Sequence, residues 1–266
     1  MKIRVCFSKF GMLRFLGHLD VMRYFQHAIA RASLPIAYSA GFHPHMILSF
    51  AQPLALSVTS DGEYFDCELT ENVSAEELKT RLQNAMCDGF EIRTVTVLPP
   101  QEPNTKKQTG MSQIAGAMYL CEETLSVRGL LTEAVEKLGV SGKTVIQKPT
   151  KNGTKDMDVR AGIHAVGIVS ENGTVEYVFR DGVFDVPESL NDGFGRERSA
   201  HAAHTAGLSR FLFAVDAGSG NNISVELISE ALRSVCELPE GRILSAHRME
   251  LYGCTDNRMV SLAKMK

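Results

Sequence analysis

Three histidines near the N-terminus carry the side chains best suited to chemistry. His43 and His45 are two residues apart, so an extended backbone would point both imidazoles to one face. With His18 they could bind a metal ion, contact a nucleotide, or act as general acid and base in RNA cleavage. They could equally hold a turn, since Pro44 restricts the residue before it. We expect no metal, because only Asp20 offers an obvious carboxylate partner.

A polar stripe follows directly after the first of these histidines. Met22, Phe25 and Ile29 recur at three- and four-residue steps, which predicts an amphipathic helix over 19–32. The opposite face carries Asp20, Arg23, His27 and Arg31. The stripe is either an ordinary solvated helix face or a surface that follows RNA phosphates. In the second case Lys9 and Arg14 would extend it.

Other segments offer little chemistry. Asp158 and Arg160 follow the tight-turn signal Asn152-Gly153, and we expect an ion pair beside a hairpin or, alternatively, a partner contact. We find no nucleophile elbow, P-loop or dinucleotide fingerprint. We therefore expect no catalytic residues and no cofactor.

The spacing of the cysteines and the distribution of charge argue against several classes of protein. The six cysteines are at least 18 positions apart, which excludes the close spacing of zinc and redox sites and favours buried, reduced thiols. Residues 1–50 contain six Lys and Arg against one acid, whereas residues 51–100 contain three against nine. This asymmetry can mark a surface for an anionic partner, or it can equally reflect two ordinary faces whose charges offset each other. The net charge of −3 argues against nonspecific coating of nucleic acid, and we expect no DNA partner.

The strands and helices that position these side chains can be predicted from the sequence of residues 1–100. Alternating apolar residues predict strands near 3–7 and 91–98, and extended stretches cover 36–50 and 63–69. A capping box at Ser74–Glu77 opens a second helix. The resulting β-α-β-β-α-β order is that of a ferredoxin-like domain.

Residues 117–254 repeat this order around an inserted hairpin. Residues 101–116 form a polar linker, residues 187–209 form a long loop that is either disordered or functional, and residues 255–266 form a tail. We therefore predict an α+β protein of two tandem ferredoxin-like domains. The N-terminus does not resemble a secretion signal, and no apolar window is long enough to span a membrane. We expect a cytoplasmic protein with no membrane partner.

Several segments carry a resemblance to a known family. They are FLGHLDVMR at 15–23, LPIAYSAGFHPH at 34–45 and SDGEY at 60–64, with weaker matches in DVR at 158–160 and RMELY at 248–252. Together they resemble the radical SAM-linked protein family, a bacterial domain of unknown function found alone or attached to radical SAM modules. Gly17 stands where the family often has serine, and Met46 where it often has proline.

The resemblance implies a partner more than an activity. A radical SAM enzyme needs three closely spaced cysteines for its cluster, and this chain has none. We expect a nonenzymatic module that binds tRNA or rRNA and serves a radical SAM RNA-modifying enzyme. Tandem ferredoxin-like domains resemble the CRISPR-associated repeat RNA-binding proteins. The alternative is a subunit that docks a radical SAM enzyme through 61–77 or 187–209 without RNA contact. A metal-independent endoribonuclease is a third possibility.

Overall fold

One large sheet runs through both halves of the sequence in the computed structural model. The structure describes residues 1–100, 109–124, 129–150, 153–170, 173–181, 184, 209–256 and 258–265. Within these residues ten strands form a mixed sheet and two more form a separate hairpin. The predicted α+β class is confirmed. None of the helices in the described part of the chain is long and apolar enough to cross a membrane.

The first half contributes four strands and two helices to this architecture. They are β1 (Lys2–Lys9), α1 (His18–Arg31), β2 (Leu48–Phe50), β3 (Thr59–Glu68), α2 (Ala75–Asn84) and β4 (Phe90–Val97). The strands lie in the order β4-β1-β3-β2, and each neighbouring pair is antiparallel. The predicted extended stretch 36–50 contains only the short β2 and two isolated bridges, Ile36 to Leu69 and Tyr38 to Met46.

Local sequence explains both helices of this half. α1 buries Phe25 and Ile29, as their spacing predicts, whereas Met22 is half-buried and Val21 beside it is buried. The Ser74 side chain accepts the backbone N–H of Glu77 and so begins α2 as a cap. The helices cover an aromatic core whose neighbouring ring centroids are 4.5 to 6.1 Å apart, formed by Phe7, Phe25, Phe50, Phe65 and Phe90.

The second half contributes the remaining elements. They are α3 (Gly110–Gln113), β5 (Ile114–Glu123), α4 (Leu130–Val140), β6 (Val145–Thr150), β7 (Gly153–Asp158), β8 (Ile163–Val169), β9 (Val175–Arg180), β10 (Arg210–Asp216), α5 (Val225–Val235), β11 (Leu244–Thr255) and β12 (Arg258–Ser261). The sheet continues in the order β11-β5-β10-β8-β9. β6 and β7 form the separate hairpin, and α4 and α5 pack over the sheet.

The two halves are joined edge to edge through β3 and β11. These strands pair in parallel, with Thr59 opposite His247 and Ser60 opposite Arg248, while the far end of β3 pairs with β2. A side chain at Gly62 could not fit here, because its Cβ would lie 2.6 Å from the Glu250 Cα atom. Glycine therefore permits the close approach of the two strands.

Segments that the sequence marks as connections are partly structured. Of the predicted linker 101–116, the structure describes residues 109–116. In this part Thr109 caps α3, and β5 begins at Ile114. The predicted tail contains β12, which pairs with β11, and Leu262 is fully buried. Its apolar residues explain this packing. The predicted long loop 187–209 lies outside the described residues except for Ser209.

Not all cysteines are buried as predicted. Cys6, Cys67 and Cys121 are buried, whereas Cys87 and Cys254 are exposed. Burial, and to a smaller extent the charge of nearby Asp66, raises the pKa of Cys67 to about 12. The buried thiols are therefore protonated and unreactive.

Candidate functional site

A buried ion pair joins the halves on the face of the sheet that α1 covers. The Arg248 Nε and Nη2 atoms lie 2.7 and 2.6 Å from the two Glu63 carboxylate oxygens, and Arg248 also donates to the carbonyls of Gln52 and Pro53. Burial alone would lower the pKa of Arg248, but the charge of Glu63 and contact with Tyr119 raise it above its ordinary value. The guanidinium of Arg248 therefore remains charged inside the protein.

Two side chains of the predicted RNA surface lie beside this pair. Lys9 is only 2% exposed, and its Nζ atom donates to the Leu16 carbonyl at 2.8 Å, so it does not belong to an exposed surface. Burial lowers the pKa of Lys9 despite the opposing charge of Glu63. His18 is half-buried at the start of α1, with its ring edge-on to Phe50.

The imidazole of His18 is influenced by the same charges. Burial is the main cause that lowers the pKa of His18, with Arg248 and Lys9 acting in the same direction and Glu63 opposing them. At neutral pH the ring is therefore uncharged, because even an unperturbed histidine titrates near pH 6.5. An uncharged imidazole can accept or donate a hydrogen bond but adds no attraction for phosphate.

A second polar group lies on the opposite face of the same junction. The His247 Nδ1 atom is 2.9 Å from the Thr59 hydroxyl, and its Nε2 atom is 3.4 Å from Asp61, which also contacts Arg93. Burial would raise the pKa of Asp61, but hydrogen bonding and charge from His247, with help from Arg93, hold it at about 2. We call Lys9, His18, Asp61, Glu63, His247 and Arg248 together the seam.

Sequence reasoning missed four of these residues as site residues. Asp61 and Glu63 belong to SDGEY, and His247 and Arg248 lie at or beside RMELY, so the quoted segments contained the available signal. Their burial also changes the alternative docking hypothesis. The stretch 61–77 is not a continuous acidic surface, because Asp61 and Glu63 face the seam and Asp66 pairs with buried Arg4 at 2.8 Å.

The polar stripe of α1 is exposed as predicted, but its charges are partly engaged. Asp20, Arg23, His27 and Arg31 all face solvent. Arg23 pairs with Asp20 at 3.3 Å, and exposed pairs of this kind contribute little stability. Arg14 is half-buried and lies over the Phe15 ring, 5.0 Å from its centroid.

Arg31 also has a structural role at the end of the stripe. It donates to the Ala85 carbonyl just after α2, while Arg81 of α2 donates to the carbonyls of Ala32 and Ser33 just after α1. Cations near helix C-termini stabilise the carbonyls that lack helical partners. The two arginines therefore fasten the two helix ends to each other.

The other two histidines belong to a short loop, which we call the aromatic loop (residues 38–46). Tyr38 bridges Met46, and the Ser39 hydroxyl lies 2.8 Å from the His45 Nδ1 atom and accepts the His45 backbone N–H. The Phe42 side chain is 101% exposed and Tyr38 is 53% exposed. The loop is therefore fastened at its base and presents aromatic rings to solvent.

A cavity of about 150 Å³ lies next to this loop and strand β2. Its lining comprises Lys2, His45, Met46, Ile47, Leu48, Ser49, Asp66, Cys67, Glu68 and Thr109. His45 thus faces a cavity near the end of β3, while His18 packs on Phe50 beside the seam. Across the part of the chain that the structure describes, no group of three or more His, Cys, Asp or Glu could hold a metal ion.

Asp158 and Arg160 have local contacts in place of the expected ion pair. The Asp158 carboxylate accepts the backbone N–H groups of Thr144 and Arg160. The Arg160 guanidinium donates to the carbonyls of Gly139 and Ile163. It also lies 3.7 Å from the centroid of the Phe179 ring. Both side chains hold the hairpin and its surroundings in place.

Fold and site together define a mixed α+β protein with a buried charged junction and an exposed aromatic loop. The chain belongs to a family of uncharacterized proteins conserved in bacteria, DUF2344, whose family model matches residues 2–183. The matched region contains the aromatic loop, the stripe and Glu63 but ends before Arg248. No curated protein matches the chain. The family description names neither an activity nor a radical SAM partner.

Proposed function

We propose that this protein is a nonenzymatic RNA-binding accessory module that serves a radical SAM RNA-modifying enzyme. We further propose that its halves are two ferredoxin-like units that share one sheet. The strand orders β4-β1-β3-β2 and β11-β5-β10-β8 support this, because each set of strands is interleaved with two helices as in a β-α-β-β-α-β unit. The radical SAM partner rests on the sequence resemblance alone.

The aromatic loop is the observation that carries the RNA proposal. Burying a phenylalanine side chain is worth about 1.5–3 kcal/mol, so the fully exposed ring of Phe42 forgoes that stabilisation in the free protein. The bridge and hydrogen bonds at the base of the loop hold it out from the core. Proteins recognise unpaired RNA bases by stacking them on such rings.

Exposed basic side chains of α1 would add a limited attraction for phosphate. Arg23 and His27 lie on the α1 surface, but Arg4 and Lys9 are buried and cannot reach a phosphate. The surface of the N-terminal half therefore carries a smaller excess of positive charge than the sequence of residues 1–50 suggests. We expect few phosphate contacts and a shallow dependence of affinity on salt.

The test is to measure binding of total tRNA and of rRNA fragments at two salt concentrations. Phe42→Ala is expected to weaken the affinity by about 1–3 kcal/mol, the worth of one stacked base. Phe15→Ala is the matched control, because Phe15 is also an exposed ring but lies outside the aromatic loop. RNA binding no stronger than a nonspecific background, or equal losses in both variants, would contradict the proposal.

A second candidate function is a docking subunit that contacts a radical SAM enzyme without RNA. The observation that favours it is a group of exposed apolar side chains around the start of α1, namely Met12, Phe15, Leu19 and Leu56. Such residues are typical of protein contact surfaces when they lie together. Here Phe15→Ala should abolish capture of the enzyme in a pull-down, and Phe42→Ala should leave it intact.

A further inference from the structure

The junction between the two halves is closed at one end and diverges toward the other. β3 and β11 pair through Thr59 and Ser60, and their backbones still touch at Gly62. From Phe65 onward the same edge of β3 pairs with β2 instead. β3 and β11 therefore separate beyond Gly62, and we call the region between the separating strands the wedge.

Side chains from both halves meet inside the wedge. The Tyr64 hydroxyl of β3 donates to the Glu250 Oε1 atom at 2.5 Å, and the Ser261 hydroxyl donates to the Oε2 atom at 2.9 Å. Farther along β3, Asp66 pairs with Arg4 of β1, and both side chains are buried. The first half thus has a charged pair in the wedge that something must shield from water.

The hydrogen bonds of Arg4 show what covers this pair. A guanidinium has five N–H donors, and all five of them in Arg4 have acceptors. Two bonds go to the Asp66 carboxylate, and the other three go to the Gln113 side chain and to the backbone carbonyls of Leu262 and Met265. Three of the five acceptors therefore come from the second half.

The last of these contacts belong to residues 262–265, which we call the strap. Its first residue, Leu262, is fully buried. At its other end Met265 lies so close to Gly253 of β11 that a Cβ atom added to Gly253 would overlap the Met265 Sδ atom. Glycine at this position of β11 therefore makes room for the strap.

We propose that the strap closes the wedge and fixes the angle between the two halves. Only two residue pairs join β3 to β11, whereas nine join β11 to β5. The short ladder at Thr59 and Ser60 acts as a hinge, and the strap holds the far end of the wedge through Arg4. With the strap in place the halves move as one unit, and without it the wedge opens while each half keeps its own core.

The wedge also adjoins the aromatic loop. Asp66, which Arg4 binds, lines the cavity beside that loop together with His45. Thr109, which caps α3, belongs to the same lining. Opening of the wedge would therefore change the surroundings of the aromatic loop. The strap is thus a conformational device in the C-terminal residues, to which the proposed function assigns no role.

The experiment is backbone hydrogen exchange of the full chain, followed by mass spectrometry. Gly253→Ala displaces the strap through Met265, and Gly142→Ala, with open space around its Cβ, is the matched control. Inside the wedge Asp66 accepts the N–H of Gly110 and Glu250 accepts the N–H of Leu251.

Local opening of the wedge gives a distinct pattern of exchange. In Gly253→Ala, peptides that cover 109–113 and 249–252 should exchange at least about tenfold faster than in the wild type, because local opening exposes these amides without global unfolding. Peptides that cover 21–29 in α1 and 227–232 in α5 should be unchanged. Gly142→Ala should exchange like the wild type throughout.

Arg4→Lys tests the same device from the other side of the wedge. Lysine keeps the positive charge but lacks the planar fork of arginine, so it cannot bind Asp66 and both strap carbonyls together. The wedge peptides should again exchange faster, by a smaller factor, and the helices should not. Arg23→Lys on the exposed face of α1 is the matched control. If Gly253→Ala does not fold, Arg4→Lys decides the question alone.

Two results would overturn the proposal. Wild-type exchange of the wedge peptides in both variants would mean that the strap does not hold the wedge closed. Equal acceleration of the wedge peptides and of the two helices would mean that the halves unfold together and that the strap only adds stability. Faster exchange confined to the wedge would support the proposal.

Discussion

The seam, which joins the two halves of the chain, and the aromatic loop, which lies in the first half, treat charged and apolar side chains in opposite ways. At the seam, charged groups such as Glu63 and Arg248 are removed from water and satisfied by each other. In the aromatic loop, the apolar ring of Phe42 is left in water above a well-bonded base. Buried charges that are paired hold two parts of a fold in a defined arrangement, whereas a fully exposed ring contributes nothing to the core. The seam therefore serves the structure, whereas binding is the role that we propose for the aromatic loop.

The largest expected effect is at the Glu63–Arg248 pair. Glu63→Ala leaves the Arg248 guanidinium buried without its carboxylate, and we expect a loss of about 3–5 kcal/mol in the free energy of unfolding. Urea denaturation measures it. The double variant Glu63→Leu with Arg248→Met should be more stable than Glu63→Ala, because no uncompensated charge remains. An exposed control, Arg23→Gln, should change stability by less than about 0.5 kcal/mol.

The next largest effect is at the point where β3 and β11 approach each other. In Gly62→Ala the new methyl group would lie 2.6 Å from the Glu250 Cα atom and 2.7 Å from the Met249 carbonyl oxygen. Because both contacts are with backbone, we expect a loss near the upper end of the usual overpacking cost, about 3 kcal/mol. Thermal unfolding tests this. Gly142→Ala has open space around its Cβ and should be nearly neutral, so equal losses would refute the explanation.

A smaller effect at the seam depends on pH. The pKa of Asp61 is held at about 2, below its unfolded value of about 3.9. Its stabilisation is therefore fully present above about pH 4 and is lost as the pH falls through about 2, with a magnitude of about 2 kcal/mol at neutral pH. Asp61→Asn should be less stable than wild type at pH 7, and the gap should narrow on acidification. A gap that stays constant down to pH 2.5 would contradict this assignment.

The smallest effect on stability is expected in the proposed binding region. Phe42→Ala removes a side chain that makes no contribution to the core, so its free energy of unfolding should stay within about 0.5 kcal/mol of wild type. Arg23→Glu should be similarly neutral but should reduce the salt dependence of RNA affinity by about one unit of slope if Arg23 contacts a phosphate. Arg31→Glu serves as a comparison, because it also removes the contact with the Ala85 carbonyl and should lower stability slightly.

Local patterns predicted many of the individual elements. The spacing of Phe25 and Ile29 predicted helix α1 and its exposed polar face, and Ser74 predicted the start of α2. These features depend on neighbours three or four residues apart, so a short window of sequence contains their cause. The boundaries were less accurate, because most of the predicted extended stretch 36–50 is irregular.

The sequence by itself determined the α+β class, the amphipathic helix and the aromatic composition of the loop. Only the tertiary structure decided that Lys9 is buried, that residues 258–261 pair with β11, and that Glu63 meets Arg248 across 185 positions of sequence. Helical and strand periods are properties of neighbouring residues. Whether a charged side chain is buried depends instead on which distant strand lies beside it. The pairing of β3 with β11 buries Glu63 and Arg248 against each other.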